Sequence, residues 1–291
     1  MSAPARVACI GIGRMGWHMA AHLAAAGHDV VVSDVAKDLE VRWFAEHRGV
    51  AATDLAAAVD GADFVVTSLP ADAQLLAVAD AIVDSLAPSA VWIDHSTTSA
   101  AAAREVATRV AARGAQFLDA PVSGGVDGAR NGTLTVMVGG DESAFESARP
   151  IVETYGKRYE LMGSAGAGQI TKMTNQICVV GLCQALAEGL DFAETAGLDV
   201  NKVIHVMLQG SSASWQMANR AERMVAGEYD YGFSTTLMRK DIGLVLEEAA
   251  AMEVPLPVTD MVGGFLDEVD AMGGASWDWC SLMERQRRRG S

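Results

Sequence analysis

A short apolar run, Arg6-Val-Ala-Cys-Ile10, passes directly into Gly11-Ile-Gly13-Arg-Met-Gly16. An alanine-rich, helix-like segment, His18 to Ala26, follows and stops at Gly27. A second apolar run, Asp29-Val-Val-Val-Ser33, then delivers Asp34. A lone G-x-G-x-x-G says little. Here it follows a strand, opens a helix and is followed by an acid roughly twenty residues on, which is the context that binds a dinucleotide. The glycines let the backbone approach a pyrophosphate, and the amides and dipole of the helix start stabilise it. Gly11, Ile12, Gly13, Arg14, Met15 and Gly16 are therefore the candidate phosphate loop. Asp34 would accept hydrogen bonds from the adenosine ribose hydroxyls and repel a 2′-phosphate, so NAD is favoured over NADP. The competing reading is a glycine-rich turn without a ligand.

From residue 6 to about 162, β-rich runs alternate with alanine-rich helical stretches. The predicted strands are 7–10, 29–33, 64–69, 91–94, 116–119, 134–138 and 158–162; helices are predicted at 14–26, 37–47, 72–86, 99–113 and 141–154. Such alternation means a mostly parallel sheet with helices on both faces. Beyond Gly163 the β-rich runs disappear, and successive helices are predicted at 168–196, 200–209, 214–226, 235–252, 257–271 and 277–287. The expected fold is α/β: an N-terminal Rossmann-type, doubly wound parallel sheet (1–163) followed by an all-α C-terminal domain (164–291). The glycine-rich Gly163-Ser-Ala-Gly-Ala-Gly168 marks the boundary.

Lys172 is the only cation between Arg158 and Lys202. It precedes the apolar run Ile177-Cys-Val-Val-Gly-Leu-Cys183, which reads as a helix buried in a core. A lysine at the mouth of such a helix is costly to desolvate unless it has a partner or a task. Asn175 and Gln176 lie three and four residues on and share its helix face. Two readings fit: a lysine snorkelling to water from the first turn, or a chemical group placed where the two domains meet, a favoured position for a ligand cleft.

Three further loops follow predicted strands. In Asp119-Ala-Pro-Val-Ser123-Gly124-Gly125, the Ser123 hydroxyl and the unobstructed glycine amides suit the capture of a small carboxylate; a plain strand-to-turn transition fits equally well. In Asp94-His-Ser96-Thr97, a loop residue could touch a nicotinamide or simply cap the next helix. Leu69-Pro70 ends a strand at the carboxyl edge of the sheet, where ligands bind in doubly wound folds. A single histidine, His95, in a Ser/Thr loop earns no role. Trp215, in Ser211-Ser-Ala-Ser-Trp215, could size a pocket or pack in a core.

Composition excludes several classes of partner. The formal net charge is −15 and the pI about 4.7, which argues against nucleic acid or an anionic membrane surface. Cys9, Cys178, Cys183 and Cys280 form no C-x-x-C and read as reduced core residues of a cytoplasmic protein. No signal-peptide pattern is evident at the start, and no apolar run has the length to cross a bilayer. No His/Cys/Asp cluster has metal-ligand spacing. Arg285 with Arg287-Arg-Arg289 reads as a solvated tail.

Taken in order, Gly11-Ile-Gly-Arg-Met-Gly16, Asp94-His-Ser-Thr97, Asp119-Ala-Pro-Val-Ser-Gly-Gly125, Gly166-Ala-Gly168 through Lys172 to Asn175, and Lys240-Asp241 resemble the 3-hydroxyacid dehydrogenase family. That family is typified by 3-hydroxyisobutyrate dehydrogenase and tartronate semialdehyde reductase, and the match runs essentially end to end. The resemblance implies that Lys172 is catalytic and that Ser123, Gly124 and Asn175 bind substrate, with Gly125 completing the amide nest. It also implies that Leu69, Pro70, Gln74, Thr97 and Lys240 contact the cofactor, NAD. Two positions depart from the pattern. Ala100 stands where the family often has proline, and Gln176 where the hydroxyisobutyrate enzymes commonly have a second asparagine.

The implied activity is NAD-dependent transfer of a hydride between a small 3-hydroxy acid and nicotinamide, with Lys172 as general acid/base. Burial and the positive charge of the oxidised cofactor both favour the neutral amine that a base requires. 3-Hydroxyisobutyrate leads as substrate, with L-serine oxidation and tartronate semialdehyde reduction close behind. An imine reductase usually lacks the lysine; a 6-phosphogluconate dehydrogenase resembles the N-terminal half but has a much longer helical domain. A non-catalytic dinucleotide-binding protein should show a broken set, yet Ser123, Lys172 and Asn175 are all present. The helical half carries Met207, Leu208, Met217, Met224, Leu237, Met238, Leu244, Leu246 and Met252. These either fill its own core or form the interface of a homodimer or homotetramer, as the resemblance implies.

Overall fold

The computed structural model describes residues 4–288. These divide into two compact units, with the division between Lys172 and Met173. The first unit opens with β1 (Arg6–Ile10), α1 (Gly16–Ala25), β2 (Asp29–Ser33), α2 (Lys37–Glu46), β3 (Val50–Ala51) and α3 (Leu55–Val59). It continues through β4 (Phe64–Thr67), α4 (Asp72–Ile82), β5 (Val91–Asp94), α5 (Ala100–Ala111), β6 (Gln116–Asp119) and β7 (Val122–Ser123). α6 (Gly125–Arg130), β8 (Leu134–Gly139), α7 (Glu142–Val152) and β9 (Gly156–Gly163) complete it, before the long helix α8 (Ala167–Thr195) begins.

Among the described residues, nine strands form one sheet in the order β3-β2-β1-β4-β5-β6-β8-β7, with β9 also on β8. β1 lies between β2 and β4 and is parallel to both. The chain thus leaves β1 in opposite directions, so the crevice at the end of β1 is a topological switch point. β8 runs against β6 and β7, pairing Asp119 with Gly139 and Val122 with Val136.

Strand alternation builds two cores. Val7, Cys9, Val30, Val32, Val66, Ile93 and Leu118 pack on one face with Met19 and Leu23 of α1 and Ile151 of α7. Ala8, Ile10, Val65, Trp92 and Phe117 pack on the other with Leu75 and Ile82 of α4 and Val106 and Val110 of α5. β1, β2, β4, β5 and β6 are therefore buried on both sides, as a sheet covered on both faces requires, while the short edge strand β3 is exposed. β3, β7, α3 and α6 are too short to show a period in the sequence. α3 is held instead by its cap: Asp54 accepts a hydrogen bond from the Ala57 amide at 2.8 Å.

In the second unit α8 continues and is followed by α9 (Val200–Met207), α10 (Trp215–Ala226), α11 (Thr235–Ala251), α12 (Pro257–Val269) and α13 (Leu282–Arg288). Val180, Cys183, Leu186 and Leu190 of α8 meet Ile204, Met217, Met224, Met238, Ile242, Val262, Leu266 and Met283 in one core. Asp199, Ser214 and Ser234 cap α9, α10 and α11 by accepting backbone N–H bonds.

The structure corrects some expectations and decides between others. The apolar run of α8 is buried on one side only: Cys178, Leu182 and Phe192 are exposed, so Cys178 is not a core residue. By length and composition α8 could cross a membrane, although its inner side is the packing face of the helical core. Arg285 is buried, paired with Glu268 at 2.9 Å and stacked 3.5 Å from the Phe265 ring, and Arg287 pairs with Glu194; neither is a solvated tail, and Arg289 lies outside the described residues. Met217, Met224 and Met238 fill the core, while the exposed large apolar side chains include Leu182, Phe192, Val206, Met252, Val258 and Met261. Trp215 is exposed rather than packed in a core, and the Arg220 guanidinium lies 4.9 Å from its ring.

Candidate active site

β1, β2, β4, β5 and β6 are parallel neighbours, so the loops that leave them share one edge of the sheet. Gly11 follows β1, Asp34 follows β2, Leu69-Pro70 follows β4 and Thr97 follows β5. The sequence-predicted cofactor residues of this unit are gathered there, with Gln74 exposed on the first turn of α4.

Each glycine of the phosphate loop has its own steric cause. Gly11 has φ +83°, and a Cβ there would lie 2.4 Å from the Ser68 carbonyl oxygen. A Cβ on Gly16 would stand 2.0 Å from the Gly11 oxygen, so the start of α1 can approach the loop only as glycine. Gly13 differs. A Cβ there meets nothing within 4 Å, so this glycine fronts open space.

Asp34 closes the loop from the side. Its Oδ2 accepts the Ile12 amide at 2.8 Å and its Oδ1 the Ala36 amide at 2.9 Å. The Asp34 amide donates in turn to Oε1 of buried Glu40, which also takes the Lys37 ammonium at 2.7 Å. The acid predicted to read the ribose is thus fixed to the phosphate loop, and Glu40 occupies the nearby cation.

A buried polar network underlies the next two loops. Asp94 accepts from the Thr67 hydroxyl at 2.6 Å and the Ser96 hydroxyl at 2.5 Å. The Ser96 oxygen accepts the Leu69 amide at 2.8 Å, which ties the β4 loop to the β5 loop. Burial pushes the Asp94 carboxyl up to about 6 against the pull of those hydroxyls. His95 is consumed by structure. Its Nδ1 lies 2.6 Å from the Ala120 carbonyl oxygen, which can only accept, so Nε2 of the neutral ring accepts from the Tyr155 hydroxyl at 2.8 Å. Burial lowers its pKa to about 4. The cap of α5 is Ser99, which accepts from the Ala102 amide at 3.0 Å; Thr97 has no part in it.

Ser123 ends β7, and Gly124 and Gly125 open α6 with φ +124° and +62°. Lys172 is only 8 % exposed, and its Nζ donates to the Val122 carbonyl oxygen at 3.0 Å, one residue before Ser123. It does not snorkel to water.

Sequence reasoning assigned no role to the residues that hold Lys172 in place. Asp119, at the end of β6, accepts the Gly166 amide at 2.7 Å and the Gln169 amide at 2.9 Å, so one carboxylate seats the start of α8. Burial raises the Asp119 carboxyl to about 6, opposed first by those backbone amides. A Cβ on Gly168 would lie 2.4 Å from the Asp119 carbonyl oxygen and 2.5 Å from that of Met137. Only glycine lets the helix approach the strand ends so closely. The usable sequence signal was an acid ending a strand together with a Gly-x-Gly opening a helix.

Asn175 and Lys240 belong to the second unit. The Asn175 Nδ2 donates to Oε1 of Gln176 at 2.8 Å, and the Gln176 Nε2 donates to Oδ2 of Asp241 at 2.7 Å. Lys240 lies 3.1 Å from Oδ1 of that same carboxylate. Gln176 is therefore turned into the helical core towards Asp241, and its carbonyl fixes the orientation of the Asn175 amide. Among the described residues, no group of His, Cys, Asp and Glu side chains could hold a metal ion.

Residues 6–163 match a family model described as the NAD binding domain of 6-phosphogluconate dehydrogenase. Residues 166–285 match one described as NAD-binding of NADP-dependent 3-hydroxyisobutyrate dehydrogenase. An uncharacterized oxidoreductase of Shewanella frigidimarina is 46% identical over 97% of this chain and 98% of its own length. The 2-hydroxy-3-oxopropionate reductase of Escherichia coli is 34% identical over 94% of each. Among solved structures, a Mycobacterium tuberculosis 3-hydroxyisobutyrate dehydrogenase with L-serine superposes with a TM-score of 0.90 at 32% identity, covering 98% of this chain and 100% of that one.

Proposed function

The chain belongs to the 3-hydroxyacid dehydrogenase family and is an NAD-dependent oxidoreductase of that class; on this premise we propose that it oxidises a small 3-hydroxy acid, or reduces the matching semialdehyde, with Lys172 as general acid/base. The observation that carries the reading is the buried Lys172 amine held 3.0 Å from the carbonyl oxygen of Val122, the residue that precedes Ser123 and the two glycines in the chain.

Gly11 to Gly16, Asp34, Leu69, Pro70, Gln74, Thr97 and Lys240 are the residues assigned to NAD. The cradle at Gly13 and the acid on the ribose side fit that group. When bound, NAD supplies a hydride acceptor for the carbon that carries the hydroxyl. Ser123 and the Gly124 and Gly125 amides take the substrate carboxylate. Lys172 accepts the hydroxyl proton during oxidation and returns it to the carbonyl oxygen during reduction. Asn175, one helical turn along α8, hydrogen-bonds the substrate without adding charge. Its Nδ2 donates one hydrogen to Gln176, which leaves the second N–H and the carbonyl oxygen as the groups it can offer a substrate.

3-Hydroxyisobutyrate leads among substrates, followed by L-serine and tartronate semialdehyde, the chemistries named for the relatives above. We assign residues 1–163 to dinucleotide binding and 164–291 to substrate binding and assembly, in a cytoplasmic homodimer or homotetramer. The test is a turnover screen of small 3-hydroxy acids and semialdehydes with NAD and NADP side by side. Turnover of none of these compounds, by protein that binds NAD, would refute the reading.

A further inference from the structure

Gln169 is fully buried, and both ends of its carboxamide are used. Its Nε2 donates to the Ser96 carbonyl oxygen at 2.9 Å, and its Oε1 accepts the Thr98 amide at 3.1 Å. Those groups belong to the two peptide units on either side of Thr97. One side chain thus clamps Thr97 from both sides, as a neighbouring strand would, and neither peptide plane can turn without breaking a bond. Gln169 also belongs to α8, one turn before Lys172 on the same helix face. Its own amide is held by Asp119, so the clamp is fixed at its base as well.

We propose that Gln169 is a positioning residue that sets the placement of Thr97 relative to Lys172. The proposal rests on the reading above, in which Thr97 contacts the cofactor and Lys172 handles the proton. Hydride and proton must leave neighbouring atoms of one substrate, so cofactor and lysine have to be held in fixed register. A rigid carboxamide linking their two supports, through bonds shielded from water, supplies that register. Misplacement by about 1 Å can cost roughly a hundredfold in rate.

Gln169→Met tests this, since it keeps length and approximate volume but removes both hydrogen bonds. The assay uses whichever of L-serine, 3-hydroxyisobutyrate and tartronate semialdehyde the wild type turns over best. Deuterium is placed on the reacting carbon of the hydroxy acid, or on C4 of the reduced nicotinamide. We expect kcat to fall by roughly 10- to 100-fold, with the Kd for NAD within about threefold and KM little changed. The primary deuterium isotope effect on kcat should rise towards its full value as hydride transfer becomes limiting. A purely structural role would lower the thermal midpoint and the active fraction but leave the isotope effect alone.

Gln169→Glu is the second variant, and it serves alone if the methionine variant does not fold. The glutamate still accepts the Thr98 amide, but when ionised it sets an oxygen against the Ser96 oxygen; when protonated it donates there. Its kcat relative to wild type should therefore recover as the pH is lowered. Wild-type kcat and isotope effect in Gln169→Met, or a pH-independent ratio in Gln169→Glu, would overturn the proposal. Lys172→Ala run in parallel separates the two failures. If that variant keeps its turnover, the underlying reading is wrong; if it is inactive while the Gln169 variants behave as wild type, only the clamp is.

Discussion

The Lys172 Nζ donates to the Val122 carbonyl oxygen at 3.0 Å, which places a buried amine beside the residue that precedes Ser123. A carbonyl oxygen takes one N–H of the amine and carries no charge of its own, so the nitrogen can still exchange a proton with a substrate. Lys172→Ala should fold and bind NAD yet lose roughly two to four orders of magnitude in kcat, the usual worth of a general acid/base. Steady-state kinetics with a parallel NAD titration check it. Retention of more than about a tenth of wild-type kcat would remove Lys172 from the chemistry.

Asp34 should set the cofactor preference. Asp34→Ser combined with Val35→Arg should shift kcat/KM towards NADP, because arginine pairs with a 2′-phosphate that a carboxylate repels. The shift has a structural cost, since the Ile12 amide loses its 2.8 Å carboxylate partner. Val35 is fully exposed, so the new side chain needs no repacking. Comparing kcat/KM for both cofactors decides the point. An unmodified enzyme that prefers NADP would refute the assignment.

Two glycine substitutions should diverge. A Cβ on Gly168 collides with backbone oxygens at 2.4 and 2.5 Å, whereas one on Gly264 meets nothing within 4 Å. Gly168→Ala should destabilise the protein by about 1–3 kcal/mol or more and reduce the turnover of what remains folded. Gly264→Ala, in the exposed face of a helix, should be neutral or stabilising by about 0.5–1 kcal/mol. Thermal unfolding of both variants provides the comparison.

Much of this was legible in the sequence because it depended on local pattern. The phosphate loop, the alternating strands and the helical second half all carry their own periods and glycines. The elements that escaped are those fixed by tertiary contacts. Two-residue β7 exists because Val122 and Ser123 pair with β8, and α6 because two glycines with positive φ turn the chain there. Lys172 stood out as an isolated cation. Asp119 and Gln169, which tie the start of its helix to the ends of β5 and β6, did not, since a buried acid and amide look like surface residues until their backbone partners from distant segments are seen. The same applies to Arg285, whose burial depends on Glu268 and Phe265.

The exposed apolar side chains of the helical unit bear on assembly. Leu182 and Phe192 lie on the outward face of α8, and Val258 and Met261 on that of α12. Patches of this kind usually mark a subunit interface. Light scattering at micromolar protein should give a dimer or tetramer, and Leu182→Glu with Phe192→Glu should shift it towards monomer. A fully active wild-type monomer would rule the assembly out.

His95 should leave a signature in the pH dependence of stability. Its ring is buried and neutral, with a folded pKa lowered to about 4 from 6.5. Between those values the unfolded chain binds the extra proton, so the stability the neutral ring provides is full above about pH 6.5 and is lost as the pH falls towards 4. Asp94 and Asp119 act in the opposite sense. Their folded values are raised to about 6, so their contribution falls as the pH rises from about 4 to 6, and wild type alone would show the two effects partly cancelling. A difference measurement isolates the histidine. His95→Asn removes the titrating ring while leaving both acids in place. The stability advantage of wild type over this variant should be about 2 kcal/mol smaller at pH 4.5 than at pH 7. Urea unfolding at the two pH values measures it. An advantage that stays constant or grows at low pH would mean that the ring is charged in the folded protein, and the Nδ1-donor, Nε2-acceptor arrangement between Ala120 and Tyr155 would have to be abandoned.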